Sequence, residues 1–237
     1  MNRLVSKLES FARLSDAEKM TLRSALSAQR HHGSNQISVA GTSPANGVLI
    51  ILNGFACRYK VLHAGRRQIL GYLVPGDICG LRLSTLSRGG YYVGTFGPTE
   101  TAILSVERIL SFPELYPNLT RALQWSMLAE ESIAREWVTN VGQRTAYERV
   151  AHLICEMFVR LQLVGLTHDN QCTLPLTQRD LGDALSLSSV HVNRVLRQLR
   201  LDGLATFRHS QLVLTDRSAL HRIAGFDSAY LHLQTRS

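Results

Sequence analysis

Apolar and polar positions along the chain change character several times. From 3 to 30 the apolar residues fall at roughly helical spacing, with Met20, Leu22 and Leu26 in its second half, so the segment is expected to be helix. Inside it, Ser15-Asp16-Ala17-Glu18 has the S-x-x-E form of a capping box, in which hydroxyl and carboxylate each satisfy an orphan backbone N–H. His32-Gly33-Ser34 and Gly41-Thr42-Ser43-Pro44 are loop punctuation. Short apolar runs then follow at 48–52, 55–62, 66–74, 91–96 and 102–106. They are separated by Asn53-Gly54, His63-Ala64-Gly65, Pro75-Gly76-Asp77 and further glycines. Asn-Gly tolerates positive φ at both positions, so a hairpin turn is expected at 53–54. Many short strands between turn residues indicate a sandwich or barrel rather than βαβ units.

After Pro113 and Pro117 the pattern turns helical again. No Pro or Gly interrupts 118–141, where Leu119, Ala122, Ser126, Ala129 and Ile133 step by coiled-coil spacing. That seam has two readings: pairing with a second copy, favoured by the character of the C-terminal segment, or packing on the chain's own β-domain. Gly142 interrupts. A second helix at 144–163 places Val150, Ile154, Met157, Phe158 and Leu161 on one face, and 165–173 reads as loop.

The most informative stretch is LTQRDLGDALSLSSVHVNRVLRQLRLDGLATFRHSQLVL, residues 176–214. Thr177 with Asp180 starts a helix as N-cap hydroxyl and first-turn carboxylate. Leu181, Ala184 and Leu185 face inward, and Ser186-Leu187 breaks the helix. Ser188 caps a second one, whose apolar stripe is Val192, Val195, Leu196 and Leu199. Two short helices sharing an apolar wedge at Leu187 make a helix-turn-helix. The outward face of the second is Ser189, Val190, Asn193, Arg194 and Arg197. No acidic residue lies between Ser188 and Leu201. Such a face suits the major groove, where an arginine donates two hydrogen bonds to guanine. We therefore expect base contacts from Ser189, Val190, Asn193 and Arg194. Phosphate contacts are expected from Thr177, Gln178, Ser188, His191 and Arg197, with Arg208 and His209 adding theirs from a hairpin wing at 205–214. A winged helix used only for protein contacts is the alternative.

Composition narrows the field. The 237 residues suffice for one large domain or two small ones, and 45% hydrophobic against 19% charged is ordinary for a globular chain, which sets aside collagen-like and disordered classes. The opening MNRLVSKLESFARLS spaces Arg3, Lys7, Glu9 and Arg13 too evenly for a signal peptide, so the expected compartment is the cytoplasm, with no membrane partner. The net charge of +8 fits an anionic partner, nucleic acid first, but residues 1–141 carry +5 and 142–237 carry +3, so charge alone points to no basic tail. Cys57, Cys79, Cys155 and Cys172 stand far apart without metal-ligand spacing. A cupin-type metal enzyme would need at least two histidines converging in the β-segment, and 48–106 holds only His63. No phosphate loop or nucleophile–base set stands out, so the chain is not expected to be an enzyme.

These motifs resemble the CRP/FNR superfamily of transcription regulators through nearly the whole chain. Thr177–Leu196, T-Q-R-D-L-G-x-x-L-x-L-S-x-x-x-V-x-R-x-L, resembles that family's helix-turn-helix, and NGFACRYKVLHAGRRQILGYLVPGDICG its sensory β-roll. The resemblance implies an α+β fold: a jelly-roll, cyclic-nucleotide-binding-like β-roll at 1–117, a long dimerisation helix at 118–141, and a winged helix-turn-helix at 142–237. It also implies a homodimer on double-stranded DNA at an inverted repeat with half-sites about 34 Å apart, and RNA polymerase as a further partner. Arg194 matches an arginine that reads guanine, and Ser189 and Val190 match positions that face bases. Val190 stands where a glutamate is frequent, so a half-site different from that of the best-known members is expected, and Ser186 stands where glycine is usual.

The effector pocket, by the same resemblance, falls at Gly80, Leu81, Arg82, Tyr91 and Tyr92. Leu81 replaces the glutamate expected for a ribose, and no Arg-Ser comes after it for the phosphate, so cAMP is not expected. No cysteine precedes Cys57, so the cysteine group of an iron–sulfur cluster is missing. No cofactor is expected, although His31, His32 or His63 leaves haem ligation open, as Cys57 and Cys79 leave a thiol switch.

Overall fold

The computed structural model describes residues 2–33, 37–38, 47–79 and 91–233. The expected N-terminal helix is in fact two helices and a strand: α1 (Asn2–Glu9), α2 (Asp16–Ala25) and β1 (Leu26–His32). The capping box starts α2, with Glu18 Oε2 accepting from the Ser15 amide at 2.8 Å. The chain leaves the helix at Leu26 because strand pairing with residues 99–104 overrides local propensity there.

The β-domain comprises β1, β2 (Ile37–Ser38), β3 (Gly47–Val61), β4 (Arg67–Leu73), β5 (Ile78–Cys79) and β6 (Tyr92–Ser105). They form one six-stranded sheet of order β1-β6-β3-β4, in which β2 also pairs with β6 and β5 with β3, all antiparallel. Asn53-Gly54 is not a hairpin turn: β3 runs straight through it, and the register against β6 shifts on both sides of Asn53. Gly54 has φ +78. A Cβ there would stand 2.4 Å from the Pro98 carbonyl oxygen, so the glycine serves a bulge and a close approach. The expected strands at 91–96 and 102–106 are likewise one strand, carried past Gly97 at φ +75. The β3–β4 hairpin turns instead at a 3-10 segment, His63–Gly65.

Helix α3 (Val106–Leu115) begins earlier than the prolines suggest and contains Pro113. Pro117 opens the 27-residue α4 (Pro117–Gln143), where its missing N–H costs nothing. No side chain of Tyr116 caps α4. Glu18 Oε1 does so from α2, accepting from the Leu119 amide at 2.9 Å. Burial pushes the Glu18 carboxyl up, but the Ser15 and Leu119 amides outweigh it and hold the group below its ordinary value.

The seam on α4 settles the open choice against pairing. Leu119, Ala122, Ser126 and Ala129 are at most 4% exposed within a single chain. Leu119, Ala122 and Ala129 pack with α1, α2 and the inner face of β3, while Ile133 packs on the C-terminal core. Small residues are there because α4 lies close to its own β-domain. The open face carries Trp125, Leu128 and Val138, with Val138 74% exposed.

Thr145 begins α5 (Ala146–Leu163) with a second capping box. The loop expected at 165–173 holds β7 (Thr167–His168) and β8 (Gln171–Thr173). Helices α6 (Gln178–Leu185) and α7 (Ser189–Leu201), strands β9 (Ala205–Arg208) and β10 (Gln211–Leu214), helix α8 (Arg217–Ala224) and a 3-10 turn, Ser228–Leu231, complete the chain. The four short strands make a sheet of order β7-β8-β10-β9. The core of this unit is continuous with Cys57, Tyr59, Ile69, Tyr72 and Trp137, so the two halves share apolar packing. Among the described residues no helix is long and apolar enough to cross a membrane.

Candidate nucleic-acid interface

Helix α6 starts at Thr177, whose amide and hydroxyl both donate to Asp180 Oδ2, at 2.9 and 2.6 Å. This expected phosphate contact therefore has its donors committed to the cap. At the other end, Ser186 adopts φ +56 and the Leu187 amide donates back to the Gly182 carbonyl at 3.1 Å. A Cβ on Gly182 would lie 2.4 Å from the Leu187 carbonyl oxygen, so this glycine lets the turn close onto α6. Leu187 packs against the core between the helices, as its sequence position suggested.

Ser188 caps α7 by accepting from the His191 amide at 3.2 Å. Val192, Val195, Leu196 and Leu199 are buried, and Ser189, Val190, Asn193, Arg194 and Arg197 are exposed, Val190 at 68%. Gln178 and His191 are half-buried. The wing turns at His209 and Ser210, both left-handed at φ +49 and +63, the geometry of a two-residue type I′ hairpin. It presents Arg208 and His209 to solvent beside α7. Between α7 and the wing lies a cleft of about 280 Å³ whose polar lining is Gln178, Asn193, Arg197, Arg200, Thr206 and Arg208.

Charge pairing divides a set of part-buried arginines from the arginines on this surface. Arg58, Arg67, Arg144 and Arg160 each face a carboxylate. Among the described residues, Arg179, Arg194, Arg197, Arg200 and Arg208 have no such partner. Arg179 and Arg200 were not singled out from sequence as contacts. Arg200 was legible as part of the acid-free run, whereas Arg179 became visible only when α6 was seen to present it outward. The first acid after α7, Asp202, is held at the far end by Tyr147 and Gln198.

Of the expected effector residues only Tyr91 and Tyr92 are described, and they face different surroundings. Gly80, Leu81 and Arg82 lie outside the described residues. Tyr91 lies over the Arg58 guanidinium with its hydroxyl 3.9 Å from Cys79 Sγ, whereas Tyr92 is exposed and stacks on Tyr59. Neighbouring positions at the start of an extended strand point to opposite faces, so they serve two surroundings. Arg58 donates to Glu130 at 2.7 Å and to the Ile78 carbonyl at 3.3 Å. Lys7 and Arg160 both meet Asp77. Each of these cations is thus matched by a carboxylate. His63 is exposed at the hairpin tip, and among the described residues no group of three or more His, Cys, Asp and Glu side chains could hold a metal ion. All four cysteines are free and buried, and burial pushes the Cys57 thiol up to about 12.

Comparison with known proteins agrees with this geometry. Residues 148–223 match the family model of the Crp-like helix-turn-helix domain. The chain is 30% identical over 182 residues to the nitrogen fixation regulation protein FixK of Azorhizobium caulinodans, covering 76% of this chain and 72% of that protein. It is 27% identical over 222 residues to the transcriptional activator protein FnrL of Cereibacter sphaeroides, covering 90% and 87%. The solved structure of FixK2 from Bradyrhizobium japonicum superposes with a TM-score of 0.73 at 27% identity, covering 84% of this chain and 98% of that one.

Proposed function

The chain belongs to the CRP/FNR superfamily of DNA-binding transcription regulators, and from that premise we propose that it acts as a homodimer reading an inverted-repeat site. One observation carries the reading: α7 and the wing present a cluster of unpaired arginines on an acid-free, solvent-exposed face. Arg194 reads guanine, Val190 offers a methyl contact to thymine, and Arg197, Arg200 and Arg208 line the cleft that takes a phosphate. A use of the winged helix for protein contacts alone is not favoured, because FnrL and other relatives are named as transcriptional activators.

In this reading dimerisation uses the open face of α4, at Trp125, Leu128 and Val138, which the β-domain leaves uncovered. Several relatives are named as activators, and activation works through RNA polymerase, so the polymerase is the further partner. The N-terminal domain works without cyclic nucleotide, a reading supported by the matched charges of Lys7, Arg58 and Arg160. Selection from random duplexes with the full-length protein, followed by footprinting, tests the proposal. It predicts two-fold symmetric sites with half-sites about one helical turn apart; recovery of sites without symmetry, or retention that is blind to sequence, contradicts it.

A further inference from the structure

The β3–β4 hairpin of the N-terminal domain lies directly against α6. Arg67 on β4 donates from Nε to Asp183 Oδ2 at 2.8 Å and from Nη2 to Asp180 Oδ1. Its neighbour Gln68 donates to the Ala184 carbonyl at 3.3 Å and accepts from the Ser186 hydroxyl at 3.3 Å. Tyr72, further along the strand, donates to the Asp180 carbonyl at 3.0 Å. Asp180 and Asp183 are the only acidic residues of α6, so a single guanidinium holds both. Asp180 is also the acceptor that starts the helix. On its other side α6 closes onto α7 through Gly182 and Leu187.

We propose that Arg67 is a positioning residue for DNA binding: it fixes the angle at which its protomer presents α7, without touching DNA itself. The two halves are joined at the α4–α5 turn, through a shared apolar core and through the Arg160–Asp77 bridge, all of which hold α5. The Arg67 bridge acts further out, on α6 itself, where it sets the tilt of the helix that carries α7. Asp180 and Asp183 fall on the side of α6 opposite Gln178, which lines the cleft beside α7, so the bridge is compatible with a bound duplex. Orientation matters most when two recognition helices must enter successive major-groove segments together, and least when one helix meets one half-site. The inference rests on the two-half-site reading above.

The test compares full-length wild type, Arg67→Ala, Asp183→Asn and the double variant on duplexes carrying two half-sites or one. Thermal unfolding is followed in parallel. Arg67→Ala is expected to lose about tenfold in affinity for the two-half-site duplex while keeping its affinity for the single one. Asp183→Asn is expected to weaken binding in the same selective way, and the double variant to be no worse than Arg67→Ala. Asp183→Asn, which removes charge but little volume, serves as the readout if Arg67→Ala does not fold. Wild-type affinity of the variants for the two-half-site duplex overturns the proposal, as does an equal loss on both duplexes. If wild type itself shows no preference for two half-sites over one, the dimer reading fails instead.

Discussion

At the scale of single residues, the turn between α6 and α7 depends on Gly182. Its α-carbon lies so close to the Leu187 carbonyl that an added methyl would stand 2.4 Å from the oxygen. Gly182→Ala is expected to destabilise the protein by about 1–3 kcal/mol through overpacking, seen in denaturant unfolding, and to weaken DNA binding because the turn carries α7. His152 makes a different prediction. Its ring is buried between Phe226 and Tyr230. Burial, with Arg144 nearby, lowers its pKa from 6.5 to about 4 against the opposing pull of Glu136. The unfolded chain therefore binds more protons than the folded one between those values. Stability is flat above the upper value and falls as pH drops through the window. His221, also lowered by burial, contributes with the same sign. A His152→Asn variant should lose stability less steeply than wild type as pH falls across that window, measured by urea midpoints; equal slopes contradict the assignment.

At the scale of elements, what was legible followed from local chemistry. The capping residues Ser15, Thr177 and Ser188, the stripe Val192–Val195–Leu196–Leu199 and the wing turn at His209-Ser210 are set by nearby side chains and backbone, and they stand where the pattern put them. What was misread depends on distant partners. Residues 26–32 leave helix for strand because β6 is there to pair with, and Asn53-Gly54 bulges because β6 continues alongside instead of turning away. The phase of α4 is the instructive case. A seam of small residues has the same spacing whether it meets a second helix or a sheet, and only the structure shows the sheet. Its two faces therefore predict opposite outcomes. Leu128→Asp, on the open face, should yield folded monomer in sedimentation and weaker binding to two half-sites. Ala122→Asp, fully buried, should unfold the N-terminal domain.

At the scale of the molecule, the two halves are joined by more than a connecting helix. Tyr72 and Trp137 belong to one apolar core with Phe158 and Leu185. A buried polar chain crosses the boundary beside it. Lys7 and Arg160 hold Asp77, Arg160 also holds Glu156 at 2.9 Å, and Glu156 accepts from Trp137 and Tyr230. Burial pushes the Asp77 carboxyl up, and the two cations more than offset it. Packed side chains and paired charges thus run without a break from the N-terminal domain to α5 and α6. Base reading by α7 is tested most directly by measuring wild type and Arg194→Ala on the selected site and on the same site with its half-site guanines replaced. Loss of a bidentate guanine contact should cost the variant about 1–3 kcal/mol on the selected site and abolish its preference for guanine at one position in each half-site. Full discrimination at every position by Arg194→Ala would show that α7 does not read the bases as assigned.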